Sequence, residues 1–220
     1  METEITRLID ENYMISLREK DTQIMALTLQ INPHFLYNTL NTINMMAIMN
    51  EDQETSDLIV SLSEMLHYSF KNNNEKIPLS DEIQWTINYI NIMSKRFEGV
   101  FQTNIEVGEE LLIYKVPKFF LQPLVENSIL HGFEGRNSGG ILSIHAEKEG
   151  EKLIFTVSDN GKGMVNTIQE NMIQKTQEGS IGLSNVYQRL TLIYGGNYSV
   201  DLQSEPGVGT SFKLTLPCQN

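Results

Sequence analysis

Four short stretches hold side chains whose types and spacing could do chemistry. In Asn32-Pro33-His34-Phe35-Leu36-Tyr37-Asn38, a histidine directly follows a proline. A proline in a helical pattern removes one backbone hydrogen bond and loosens the turn before it. His34 is then presented just past an irregularity, with Asn38 one turn on and on the same face. Imidazole is largely uncharged near neutral pH and is a competent nucleophile there. His67, His131 and His145 lack this setting. In Asp159-Asn160-Gly161-Lys162-Gly163-Met164, a carboxylate closes an apolar strand pattern, with glycines two and four residues on. Such a carboxylate can accept a proton from an adenine amino group while the glycines admit a flat base against bare backbone. Glu126-Asn127 lies on a predicted helix with His131 on the same face. An amide oxygen there suits Mg²⁺ beside phosphates, because magnesium takes oxygen ligands and keeps several waters. The fourth stretch, Gly179-Ser180-Ile181-Gly182-Leu183-Ser184-Asn185, precedes an apolar helix, where backbone N–H groups can wrap phosphate oxygens. It lacks the Gly-Lys-Ser/Thr ending of a Walker loop. Each stretch alone reads equally as ordinary structure: a helical histidine, a turn, a polar packing cluster, a helix entry.

The elements that must position these groups differ between the two halves. Residues 1–98 hold two prolines, Pro33 and Pro78, and no glycine; all 15 glycines lie from Gly99 onward. That shift marks two domains, 1–98 and 99–220. In the first, residues 5–29 carry an imperfect heptad seam with polar Asn12, Glu19 and Thr22. Leu36, Leu40, Ile43 and Ala47 continue a one-faced apolar stripe, and a second helix over 55–70 offers Leu58, Leu62, Met65, Leu66 and Tyr68. A further helix is expected from Ser80 as N-cap, with Asp81 and Glu82 in its first turn and Lys95 and Arg96 in its last. Two such stripes cannot be buried in one hairpin, so pairing with a second copy into a four-helix bundle is expected. The second half alternates strand and helix signals: a strand at 103–107, a helix starting near Pro117, a hairpin of ILSIHAEK with LIFTVSD, a helix over 183–194, and two strands around Gly207 and Gly209. The fold class is α+β, a helical domain followed by a sandwich of one mixed sheet with helices on one face.

Composition narrows the partners. With 28 acidic and 16 basic residues the formal charge is −12, which disfavours duplex nucleic acid and anionic membrane surfaces. One cysteine, Cys218, excludes an internal disulfide framework or a cysteine cage for a metal. No stretch has the roughly 18 uninterrupted apolar residues of a membrane span, and the acidic N-terminus is unlike a signal peptide.

In order, the stretches resemble a known family. QINPHFLYNTLN resembles the histidine box of LytS-like bacterial sensor histidine kinases, PLVENSILHG their asparagine box, SDNGKGM the first glycine box and GSIGLSNVYQRL the second. GVGTSFKLTLP resembles the last strand of the same GHKL-type ATP-binding fold, shared with gyrase and MutL-type ATPases. The resemblance covers about residues 25–217. It implies that His34 is phosphorylated from ATP, that Asn127 holds Mg²⁺, and that Glu126 and His131 flank the phosphates. It further implies that Asp159 binds the adenine amino group in a pocket shaped by Gly161 and Gly163. Gly182 and Leu183 would belong to the phosphate-side loop, and Thr210 would face the nucleotide. Residues 165–179 map onto a mobile ATP lid, and Lys162 or Lys175 would share the γ-phosphate charge. Asn38 would orient a hydrolytic water in a phosphatase step.

The expected reaction passes the phosphoryl group from ATP to His34 and on to an aspartate of a response regulator, within a homodimer. Kinases of this group usually carry transmembrane and sensing segments ahead of the histidine bundle. The expectation is therefore a cytoplasmic fragment of a bacterial membrane protein, touching the membrane only through upstream segments. Three residues depart from the family pattern. Ser180 replaces a usual glycine, His67-Tyr68 stands where Arg-Tyr is common, and Phe35 follows His34 where larger kinase groups have an acid. The last leaves Glu126 as a candidate base for His34. The alternatives are an ATP-operated dimer clamp without phosphohistidine and a degenerate scaffold; acid-labile phosphate on the chain discriminates the first, and loss of ATP binding would be needed for the second.

Overall fold

The computed structural model describes residues 33–71, 75–164 and 181–218. The heptad seam at 5–29, the lid region at 165–179, Ser180 and Lys175 lie outside the described residues. The chain divides into two compact units, Met1–Ser63 and Glu64–Asn220. The division falls inside the second helix, well before Gly99.

In the first unit, α1 (Pro33–Met49) is followed by α2 (Gln53–Lys71), which continues into the second unit. Helix α2 starts two residues before the expected Thr55. Asp52 supplies the reason: its carboxylate accepts from the Thr55 N–H at 3.0 Å and from the Thr55 hydroxyl at 2.6 Å, capping the helix. Ser56 ties the two helices together by donating to Asn44 Oδ1 at 2.7 Å. Of the hairpin's apolar side chains only Ala47 and Ile59 are buried; Leu36, Leu40 and Leu58 are half-buried, and Ile43 and Leu62 exposed.

The second unit contains β1 (Lys76–Pro78), α3 (Leu79–Arg96), β2 (Phe101–Val107), β3 (Lys115–Pro117), α4 (Gln122–Glu126), β4 (Gly140–Glu149), β5 (Lys152–Asp159), α5 (Ile181–Tyr194), β6 (Ser199–Glu205) and β7 (Gly209–Pro217). The main sheet runs β2-β4-β5-β7-β6, with β2 parallel to β4 and the other pairs antiparallel. It is the mixed sheet of the expected α+β class. Along β4, Leu142, Ile144 and Ala146 are buried while their neighbours face outward, so one face of the sheet is covered. Ile83, Ile90 and Met93 of α3, Leu124 and Val125 of α4, and Val186 and Leu190 of α5 join the strand residues in one core.

Two expected helix starts are corrected. Helix α3 begins at Leu79, and Ser80 caps nothing; its hydroxyl lies 3.3 Å from Asp81 Oδ1. No side-chain cap is required, because the Leu79 and Ser80 N–H groups donate to the carbonyls of Tyr114 and Leu112 at 2.8 and 3.0 Å. Pro117 does not open a helix but ends β3, paired with β1. The proline at the helix start is Pro123, in the first turn of α4.

Candidate functional site

Helix α4 runs directly into a π-helical turn, Asn127–Gly132, closed by Phe133 N–H donating to the Ser128 carbonyl at 3.0 Å. Such turns recur at functional sites because they re-aim side chains within an otherwise regular helix. This one places Asn127, Ser128 and His131 along one wall of a cavity of about 220 Å³. Asp159 from the end of β5, Gly163 and Lys162 from the loop after it, and Thr210 from β7 complete the polar part of the lining. Leu124, Val157, Met164, Leu202 and Phe212 supply apolar walls, Leu202 and Phe212 as register partners on β6 and β7. A slot with apolar walls and a few convergent polar groups suits a planar, polar-edged ligand.

Asp159 is held by two bonds. Ser128 Oγ donates to Oδ2 at 2.8 Å and the Gly161 N–H donates to Oδ1 at 2.8 Å. Each oxygen keeps a lone pair for a ligand. Glycine is required at two positions of the loop. A Cβ on Gly161 would collide with the Gly132 carbonyl, where the Lys162 N–H also donates at 2.8 Å. Gly163 has φ +66°, and a Cβ there would strike the Glu205 carbonyl. Thr210 shares a 2.9 Å hydrogen bond with Ser204, whose hydroxyl also accepts from the Met164 N–H at 2.8 Å. Lys162 forms an ion pair with Glu134 at the rim, holding the Glu134 carboxyl below the usual carboxylate range.

The buried amide nitrogen of Asn127 has no hydrogen-bond partner. Buried amides are almost always satisfied, so this one calls for a ligand. Amide O and N exchange places by a half-turn, so the same spot can present the oxygen that a magnesium ion requires.

Of the residues singled out in the sequence, Asn127, His131, Asp159, Gly163 and Thr210 therefore line one cavity, and Gly161 shapes its floor. Glu126 does not line it. Its side chain accepts from Gln122 at 2.8 Å and faces a neighbouring cavity with Arg189 and Phe120. Gly182 and Leu183 lie in the first turn of α5; their side chains are outside the described residues. His34 stands exposed in the first turn of α1, its Nδ1 3.3 Å from the Asn38 amide nitrogen. Ser128 was not foreseen, although it adjoins Asn127; the apolar walls carry only a strand alternation that any core strand shares.

A slot lined by a mixed sheet and an asparagine-bearing helix, with a glycine loop beside it, is the arrangement of a GHKL-type fold. Residues 117–220 match the family described as histidine kinase-, DNA gyrase B- and HSP90-like ATPase, and residues 22–101 the family described as histidine kinase. The chain is 35% identical over 216 residues to the sensor histidine kinase YesM of Bacillus subtilis, covering 98% of this chain and 37% of that protein. It is 32% identical over 209 residues to the sensor protein LytS of Oceanobacillus iheyensis, covering 91% of this chain and 35% of that protein. The histidine kinase domain of a blue-light activated kinase of Erythrobacter litoralis shares the fold, with a TM-score of 0.51 at 17% identity over 84% of this chain and 85% of that one. The chain belongs to the LytS-like sensor histidine kinases, and it spans little more than a third of the length of these relatives. Among the described residues no helix is long and apolar enough to cross a membrane.

Proposed function

We propose that this chain is the kinase core of a two-component sensor, which phosphorylates His34 from Mg-ATP and passes the phosphoryl group to an aspartate of a response regulator. The observation that carries the reading is the convergence of Asn127, His131, Asp159 and Thr210, from three separate stretches, on one cavity, in a chain that also holds an exposed His34 beside Asn38. Asp159 accepts a hydrogen bond from the adenine amino group, its carboxylate already aimed by Ser128 and Gly161. Asn127 would hold a magnesium ion through its amide oxygen, and His131 and Lys162 would face the phosphates. The ion, when bound, neutralises charge on the phosphate oxygens; phosphoryl transfer needs such stabilisation and positioning more than covalent help.

At His34 the side chain of Asn38 sets the tautomer. The amide nitrogen of Asn38 faces Nδ1 at 3.3 Å; a half-turn of that amide brings its oxygen to Nδ1, where it accepts a hydrogen bond from Nδ1–H and leaves the Nε2 lone pair free. Nε2 attacks the γ-phosphorus, the bond to the β-γ bridging oxygen breaks, and ADP leaves with that electron pair. Glu126 is a candidate to take up a proton from the ring. Function divides near residue 98, with 1–98 receiving the phosphoryl group and 99–220 contributing the catalytic nucleotide side, Gly182 and Leu183 included. The exposed apolar faces of α1 and α2 support a homodimer built as a four-helix bundle, and the full-length protein sits in the bacterial cell membrane through segments ahead of this chain.

Incubation with γ-labelled ATP and Mg²⁺ tests the reading: acid-labile, base-stable label is expected on the wild type and none on His34→Gln, with ATP affinity near normal. Hydrolysis without chain-bound label would instead favour a dimer clamp.

A further inference from the structure

The proposed reaction makes no use of Glu82, although its side chain is completely buried (0% exposed). A carboxylate removed from water is costly unless hydrogen bonds replace its hydration. Here they do. Oε2 accepts from the Tyr68 hydroxyl at 2.7 Å and from the Phe119 N–H at 2.8 Å, and Oε1 accepts from the Leu121 N–H at 3.1 Å. The Phe120 N–H adds a fourth bond. Burial pushes the carboxyl above the usual carboxylate range, and these four bonds oppose that push.

The donors converge because of an unusual backbone. Phe119 has φ +59°, an outlier for an aromatic residue, and it turns three successive N–H groups toward one point. Those groups stand immediately before α4, whose N-cap, Leu121, has no side chain able to cap. Glu82 thus pins, from α3, the residues that lead into α4. The same loop is held from two other sides. Lys118, itself buried, donates to the carbonyls of Tyr68 and Ser69 in the last turn of α2 at 2.8 and 3.3 Å. Arg189 of α5 donates to the Lys118 carbonyl at 2.6 Å. Six residues past Leu121, the π-helical turn that continues α4 delivers Asn127 to the cavity.

We infer that Glu82 is a positioning residue for the nucleotide site: its bonds to the 119–121 loop set where the Asn127 helix begins, and its bond to Tyr68 makes that setting depend on the last turn of α2. The inference rests on the function proposed above and adds to it a route of control. Helix α2 is continuous from Gln53 to Lys71. A turn or shift of its end changes the donor that Glu82 receives, and with it the placement of Asn127. By thermodynamic reciprocity, Mg-ATP bound at Asn127 strengthens the Tyr68–Glu82 bond by the same factor.

Tyr68→Phe removes one hydroxyl and keeps the ring against Trp85 and Phe119, whose centroids lie 6.3 and 5.2 Å away. Trp85 is the sole tryptophan and sits 5.3 Å from Phe119, so its emission reports on this cluster. Calorimetric affinity of the whole chain for Mg-ATP and for ATP in EDTA is measured alongside tryptophan emission. Tyr68→Phe is expected to weaken Mg-ATP binding roughly fivefold or more, in the range of coupling between sites, and to leave metal-free ATP affinity close to wild type. Mg-ATP is expected to shift Trp85 emission in the wild type but not in the variant. Glu82→Gln should act in the same direction and further; should it fail to fold, Tyr68→Phe decides. A lowered melting temperature with the magnesium-dependent gain in affinity intact would mean a structural role only and overturn the inference. A wild type that binds no Mg-ATP would overturn the proposed function as well, whereas a binding wild type matched by Tyr68→Phe would overturn the inference alone.

Discussion

The two units of this chain solve the burial problem in opposite ways. Glu64–Asn220 closes its own core: Leu79, Val116, Leu121, Leu142, Leu190 and Leu214 are all fully enclosed. Among the described residues of the first unit, apolar side chains stay open, with Phe35 65%, Met45 61% and Met49 80% exposed. The sheet unit has a face and a layer of helices to cover it. Among the described residues the hairpin has two half-open stripes, and an exposed apolar surface of that kind marks an association site. The contrast separates two settings: the cavity with Asn127 and Asp159 sits on a self-sufficient scaffold, while His34 sits on a hairpin whose described apolar side chains are largely open.

The largest effect is expected from cutting the chain. A fragment of residues 64–220 should fold and bind ATP alone, whereas 99–220 should not fold, because it loses Leu79, Ile83, Ile90 and Met93 from the shared core. Each buried apolar side chain of that size contributes about 1.5–3 kcal/mol, so losing four removes roughly 6–12 kcal/mol, comparable to the usual margin of roughly 5–15 kcal/mol. Circular dichroism melts of the two fragments decide; a cooperative 99–220 fragment would break the comparison at its root. Next comes assembly. Replacing Leu40 and Leu62 together by glutamate should convert a dimer into a monomer of the 25.1 kDa chain in light scattering, with ATP affinity retained. A monomeric wild type at all micromolar concentrations would remove the need for a partner.

Smaller effects sharpen the account of the sheet unit. Asp159→Asn exchanges an acceptor-only group for an amide and should weaken ATP binding about ten- to a hundredfold, the worth of a charge-assisted hydrogen bond. Ser128→Ala removes only the group that aims that carboxylate and should cost about 1 kcal/mol, or roughly fivefold in affinity. Isothermal titration ranks the two, and equal losses would show that Ser128 does more than orient Asp159.

The polar lining of the cavity was partly legible because it is written in local spacings. Asp159-x-Gly-x-Gly, Asn127 with His131, and Pro33-His34 with Asn38 are each contained within a few residues, and backbone geometry at that range follows from residue type. The mixed sheet was legible too, through alternation in β4 and β7 and a hairpin turn at Gly150. Helix starts were less so. Ser80 and Pro117 each satisfied a local rule, but the N–H groups of α3 found carbonyls at Tyr114 and Leu112, and β3 claimed Pro117 for pairing with β1.

By itself the sequence determined the mixed α+β fold, the Asn127–His131 and Asp159–Gly163 stretches of the cavity and the amphipathic hairpin, since each depends on periodicity or on neighbours within a turn or two. Only the tertiary structure decided that α3 packs into the sheet unit, that Glu126 turns away from the cavity that Asn127 enters, that Ser128 aims Asp159, and that Glu82 pins a loop 37 positions further along the chain. The physical reason is the same in every case. A buried donor or acceptor must find a partner, and where that partner lies far along the chain, no local spacing records the choice.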